Sequence, residues 1–111
     1  MLKILKIIAA VLTIATGALS LFSPKSVPGF TGLQPVGGRG ISEIRSILGG
    51  LFIALGIVPL VLGGATYDML GWAYLGIGAV RLVSIFIDKA SERSNWISLL
   101  VEVVFGVILI W

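Results

Sequence analysis

The 111-residue chain contains no cysteine and no histidine. Those two absences remove zinc fingers, iron–sulfur clusters, thiol redox chemistry and Cys- or His-based nucleophilic catalysis. The usual protein ligand of haem goes with them, so no cofactor and no metal is expected. Charge is scarce too. Only 12% of residues are Asp, Glu, Lys or Arg, where an ordinary soluble domain carries about 25%. The eight Lys and Arg are scattered rather than clustered, which argues against nucleic acid as a partner. A net charge of +3 suits anionic lipid headgroups. No phosphate-binding glycine loop is present: Val36-Gly-Gly-Arg-Gly40 lacks the preceding strand and the following Lys-Ser/Thr.

What the chain has in abundance is apolar sequence, at 58% of residues. A soluble core of this size cannot hide that much apolar surface, and at about 20 residues per span the length suits four short-looped transmembrane helices. The expected fold is therefore all-α, a four-helix transmembrane bundle forming one integral membrane domain over 1–111, with the lipid bilayer as its partner. The spans are expected at about 4–22, 42–62, 66–87 and 95–111.

The first run follows Lys3 and Lys6. A signal peptide cleaved near Ala18-Leu-Ser20 is its competing reading; a retained span with a small face of Ala9, Thr13, Thr16 and Ser20 is the one expected. The Pro- and Gly-rich stretch 23–41 is expected to be a loop without helix. Phe30, Leu33 and Val36 should lay it on the bundle or the headgroups. Ser42 is expected to cap the second span, which carries a stripe of Arg45, Gly49 and Gly56 and then Pro59, a source of kinking. Thr66 is expected to cap the third. There Tyr67, Trp72 and Tyr74 suggest an interfacial aromatic belt, while Gly71, Tyr74, Gly78, Arg81 and Ile85 share an inward face. After the polar turn 88–94, Ser94 or Asn95 is expected to cap the last span, on which Ser98, Glu102 and Gly106 align. Gly49, Gly56, Gly71, Gly78 and Gly106 are read as helix-packing positions, because small residues let membrane helices approach closely. A faint echo between 19–25 and 83–89 hints at a duplicated hairpin.

Charges inside these runs are the most specific signal. A charge at the bilayer centre costs about 2.5–3.5 kcal/mol on insertion scales, so Arg81 needs a partner or a polar lining. Glu102 is the one carboxylate comparably deep in another run. At about 1.5 Å per residue, Arg45 lies roughly 5 Å from the loop-side boundary, and Arg81 and Glu102 each roughly 10 Å. All three fall in one layer, with Glu43 close by. The leading reading is an internal Arg81–Glu102 pair that fixes which helix faces point inward. The next is a polar pocket formed by Glu43, Arg45, Arg81 and Glu102, whose two arginines over one deep acid favour an anionic headgroup, a quinone-like ring or a small anion. Catalysis by Glu102 trails, since no nucleophile or second deep carboxylate accompanies it. The protein is not expected to be an enzyme.

Ser42-Glu-Ile-Arg-Ser-Ile-Leu-Gly-Gly50, then Leu55-Gly56, then Gly78 and Arg81 with Asp88, then a late Glu102, resembles small bacterial four-helix membrane proteins of unknown function with a DoxX-like layout. Their pattern runs Asn-Glu-hydrophobic-Arg-Ala-x-Tyr-Gly-Gly, then Gly-Arg, then a late Glu. Glu43, Arg45, Gly49, Gly50, Arg81 and Glu102 match it; Ser42, Ser46, Leu48 and Val80 depart from it. The resemblance implies four spans and a polar cluster in a bacterial inner membrane, and no activity. Basic residues Lys25, Arg39, Lys89 and Arg93 outnumber Lys3 and Lys6, so the 23–41 and 88–94 segments are expected on the cytoplasmic face and both termini on the other. The leading functional expectation is a structural or accessory subunit of a membrane complex, with other membrane subunits or further copies of the chain as partners. A small transporter or a lipid-, quinone- or anion-binding protein is the alternative.

Overall fold

A computed structural model describes the backbone of residues 1–111 and, beyond the backbone, all residues except Gly29 and Phe30; the expected packing of Phe30 lies outside the described residues. The fold is all-α, with no strand among the described residues. Four long helices, α1 (Leu2–Phe22), α2 (Gly37–Leu62), α3 (Ala65–Ile87) and α4 (Arg93–Ile110), are each long and apolar enough to cross a membrane. The protein measures 40 Å along its longest axis, enough for a hydrocarbon core of about 30 Å. Large apolar side chains stay uncovered around the outside, among them Val61, Val80, Phe86 and Ile87, each about 70% exposed. Such a surface needs lipid rather than water. This is a small integral membrane protein.

Helix ends depart from several sequence expectations, for local reasons. The stretch after α1 is not helix-free: a 3-10 turn at Pro24–Ser26 leads into a short helix, Val27–Thr31. Pro24 and Pro28 both sit in first-turn positions, where a missing N–H costs nothing. Gly32, at φ +74°, stops that helix. Helix α2 starts at Gly37 rather than at Ser42, which lies inside it and caps nothing. It runs through Pro59 to Leu62 and stops at Gly63 and Gly64, both with positive φ. Thr66 does not cap α3 either, since its hydroxyl donates to the Gly63 carbonyl at 2.6 Å. The α3–α4 turn closes with Lys89 left-handed at φ +52° and Ala90 N–H on the Ile85 carbonyl, the longer bond of a Schellman motif. Helix α4 begins at Arg93 behind Glu92, so Ser94 and Asn95 fall within it.

One internal irregularity changes which face of α2 is buried. Ile44–Leu51 is wound as π-helix, bonded i→i+5 instead of i→i+4. That register sets Ile44, five residues back, on the side of Gly49; both are buried while Arg45 is exposed.

The bundle is two hairpins, α1 on α2 and α3 on α4, joined along α1–α4 and α2–α3. Glycine lets each hairpin close. A Cβ added at Gly56 would sit 2.6 Å from the Ala10 carbonyl oxygen, and one at Gly17 would sit 2.8 Å from the Gly49 carbonyl oxygen. In the other hairpin, Gly71 and Gly106 face each other's carbonyls at 3.0 and 3.2 Å by the same measure. Gly17 is a seam position that the sequence reading lacked. Gly78 needs no such closeness: a Cβ there meets Glu102 Cβ at an ordinary 3.6 Å. The hairpins meet toward the end that carries the termini, where Ala9, Ala10, Leu70, Tyr74 and Leu109 form the buried core.

Gly56→Ala is expected to destabilise the protein by about 1–3 kcal/mol, because its methyl meets backbone that cannot yield. Gly76→Ala, with open space around its Cβ, should be neutral or slightly stabilising. Unfolding of both variants in mild detergent checks the contrast.

Candidate functional site

Arg81 and Glu102 meet, as the depth argument expected. Arg81 Nε donates to Glu102 Oε1 at 2.8 Å and Nη2 to Glu102 Oε2 at 2.7 Å. This is the two-pronged geometry that suits guanidinium and carboxylate. Nη1 donates to Asn95 Oδ1 at 2.7 Å, and Asn95 Nδ2 donates to the Ala90 carbonyl at 2.9 Å. The pair thus ties α3 to α4, and Asn95 ties the same guanidinium to the turn between them. The carboxylate side chain is 10% exposed and the guanidinium side chain 31%.

The other two expected site residues are elsewhere. Glu43 pairs with Arg39, Nε to Oε1 at 3.1 Å, one turn apart on the exposed start of α2. Arg45 is exposed and lines no part of the cavity described below. The π-wound register is the physical reason: Ile44 takes the buried position that an uninterrupted α-helix would have shared between Arg45 and Gly49. The polar layer therefore holds one arginine and one acid, and the expected cationic excess is absent.

Tyr74 also moves. It is buried rather than interfacial, edge-on to Phe105 at 5.5 Å between ring centroids. Its hydroxyl bonds to Thr13 Oγ1. Thr13 already donates its single proton to the Ala9 carbonyl, so Tyr74 is the donor and keeps its lone pairs. Trp72, by contrast, is 61% exposed and fits the expected belt.

Between the hairpins, on the side away from the buried core, lies a cavity of about 780 Å³ lined by all four long helices. That volume is in the usual range for a small-molecule site, about 300–1,000 Å³. Its walls are mostly apolar, including Leu12, Phe52, Ile77 and Phe105; Tyr74 stands at the core end, and Thr16, Ser20, Thr31, Arg81, Ser98 and Glu102 lie toward the loop end. Thr31, from the short helix after α1, closes part of that end.

The hydrogen-bond inventory shows what the site has left to offer. A guanidinium carries five N–H groups and a carboxylate about four acceptor positions. Arg81 uses three donors, and Glu102 accepts two of those bonds. Thr16 and Ser20 spend their protons on their own helix, on the carbonyls of Leu12 and Thr16. At the loop end, two Arg81 N–H groups, the remaining Glu102 lone pairs and the Ser98 hydroxyl have no hydrogen-bond partner among the described residues; nearer the core the Tyr74 oxygen keeps its lone pairs. Asn95 and Ser98 are the site residues that sequence reasoning undervalued. Their spacing with Glu102 and Gly106, steps of three, four and four, puts all of them on one helical face.

A family model for a domain of unknown function, DUF4345, matches residues 1–111. No curated protein and no solved structure matches the chain.

Removing one member of the buried pair strands the other. Glu102→Leu alone is expected to cost about 3–5 kcal/mol. Arg81→Leu combined with Glu102→Leu should cost clearly less than Glu102→Leu alone. A double-mutant cycle read by unfolding in detergent checks the sign of the coupling.

Proposed function

We propose that this chain, which belongs to the DUF4345 family, binds one amphipathic molecule of the membrane in its central cavity. The observation that carries the reading is the cavity itself, walled by apolar side chains and furnished with polar groups at one end. At roughly 30 Å³ for a water-sized group, about 780 Å³ takes on the order of 25 heavy atoms. That matches a single-chain amphipath and excludes a two-chain phospholipid held whole. No chemical step is assigned, since Glu102 is already held by Arg81.

An accessory-subunit role, the leading expectation from sequence, drew on tight glycine seams, minimal loops and the lack of catalytic groups. Gly17, Gly56, Gly71 and Gly106 are used inside the bundle, which shifts our reading to the binding alternative. The likeness to DoxX-like proteins of bacterial inner membranes belongs to this proposal. So does the orientation: Lys25, Arg39, Arg45, Lys89 and Arg93 flank the loop end and Lys3 and Lys6 the other, so we read the loop end as cytoplasmic.

Extraction of the purified protein and mass spectrometry should find about one single-chain molecule per chain. Ser98→Phe and Ala15→Phe fill the cavity from two of its lining helices, α4 and α1, and should each lower that occupancy at least tenfold while the protein stays folded. Unchanged occupancy in both variants overturns the reading.

A further inference from the structure

The charge arrangement of the cavity says more about its guest than its volume does. Of the residues that line it, Arg81 and Glu102 are the charged ones, and they neutralise each other through two parallel hydrogen bonds. The cation that would have tipped the balance, Arg45, faces outward. The lining is therefore formally neutral, yet it offers both donors and acceptors within one small region: spare N–H groups on Arg81, lone pairs on Glu102 and a hydroxyl on Ser98.

An anionic head gains little from such a lining. It must shed its water without a free counter-charge, and that desolvation goes uncompensated in an apolar site. To reach Arg81 by direct pairing it has to share the guanidinium with Glu102, placing two negative groups side by side, or displace Glu102 and leave that carboxylate buried and alone. A cationic head meets the mirror problem at Arg81. An uncharged head that both donates and accepts meets neither. Its hydroxyl accepts from a spare Arg81 N–H and donates to a spare Glu102 lone pair, and the ion pair stays intact.

We infer that the ligand is an uncharged single-chain amphipath whose head bears hydroxyl groups, of the chemical class of a monoacylglycerol or a long-chain alcohol. The inference rests on the binding reading above and adds the charge and hydrogen-bonding character of the head. Its acyl chain lies along Leu12, Phe52 and Phe105, and its head sits between α3 and α4 at Arg81, Glu102 and Ser98.

Two probes with chains of equal carbon number and the same cis double bond test it: monooleoylglycerol, and oleyl sulfate, an anion at every working pH. Binding to the intact protein in nanodiscs of zwitterionic lipid is measured for each. Monooleoylglycerol is expected to bind at least tenfold more tightly. Glu102→Gln, which leaves Arg81 without its counter-charge, should reverse the order and favour the sulfate. Preference for the sulfate by the unaltered protein, competed away by the cavity-filling Ser98→Phe, overturns the uncharged head while leaving the cavity reading intact. Binding of neither probe overturns both. The comparison in the unaltered protein decides the matter even if Glu102→Gln does not fold.

Discussion

A bidentate Arg81–Glu102 pair in an apolar layer sets the terms for the rest of the molecule. Neither side chain is tolerable at that depth alone, so α3 and α4 have one acceptable register, the one in which the two meet. Gly71 and Gly106 make the second contact of that hairpin, backbone to backbone, nearer the termini. Two fixed points on a pair of rigid rods settle both their spacing and their rotation. A buried ion pair of this kind adds little net stability, because the attraction only offsets desolvation. Its effect is to reject alternative rotations of α4, each of which would turn a carboxylate toward acyl chains.

The cavity follows from where the hairpins do and do not touch. Glycine draws α1 onto α2 at Gly17 and Gly56 and draws α3 onto α4 at Gly71 and Gly106. Between the hairpins, the packed residues lie toward the termini: Ala9 and Ala10 from α1, Leu70 and Tyr74 from α3, Leu109 from α4. The Thr13–Tyr74 bond ties α1 to α3 at the edge of that core. Beyond it the two tight pairs stand apart and leave an unfilled volume, which the segment after α1 covers only in part. Close approach within each hairpin and space between them are two results of one arrangement, in which glycine lines the seam inside each hairpin.

How legible this was from the sequence depended on whether local spacing carried the information. The spans were legible because about 20 apolar residues bounded by Gly, Pro and charge have few alternatives in a bilayer. Arg81 and Glu102 were legible because only one carboxylate lay at a matching depth. Arg45 misled because its stripe with Gly49 and Gly56 assumes 3.6 residues per turn, and the π-wound Ile44–Leu51 breaks that assumption with no Pro inside it. Pro24 and Pro28 misled for a related reason. The same residue that breaks a helix interior is at home in a first turn, and only the neighbouring backbone says which applies. Tyr74 satisfied two patterns at once, an aromatic belt and an inward stripe, and the Thr13 hydroxyl opposite it decided between them. The cavity itself has no sequence signature, because a void is a difference between volumes contributed by four separate helices.

The depth of the polar groups and the neutrality of their charge support each other. Arg81 lies six residues inside α3, about 9 Å from its end at 1.5 Å per residue. At that depth an isolated charge requires a counter-charge, and the protein has used its one deep acid on its one deep base. On the proposed reading, a molecule whose head reaches this layer brings its own neutrality. The polar end of the cavity faces the loop side and its apolar walls run toward the buried core, the same direction in which polarity falls across a leaflet. A lipid-like guest of the proposed kind, entering from that leaflet, would keep the orientation it already had. It exchanges acyl neighbours for Leu12, Phe52 and Phe105 and headgroup water for the spare donors and acceptors around Arg81. The free-energy difference that selects a guest then rests on the head, since the chain finds equally apolar surroundings on either side of the helices.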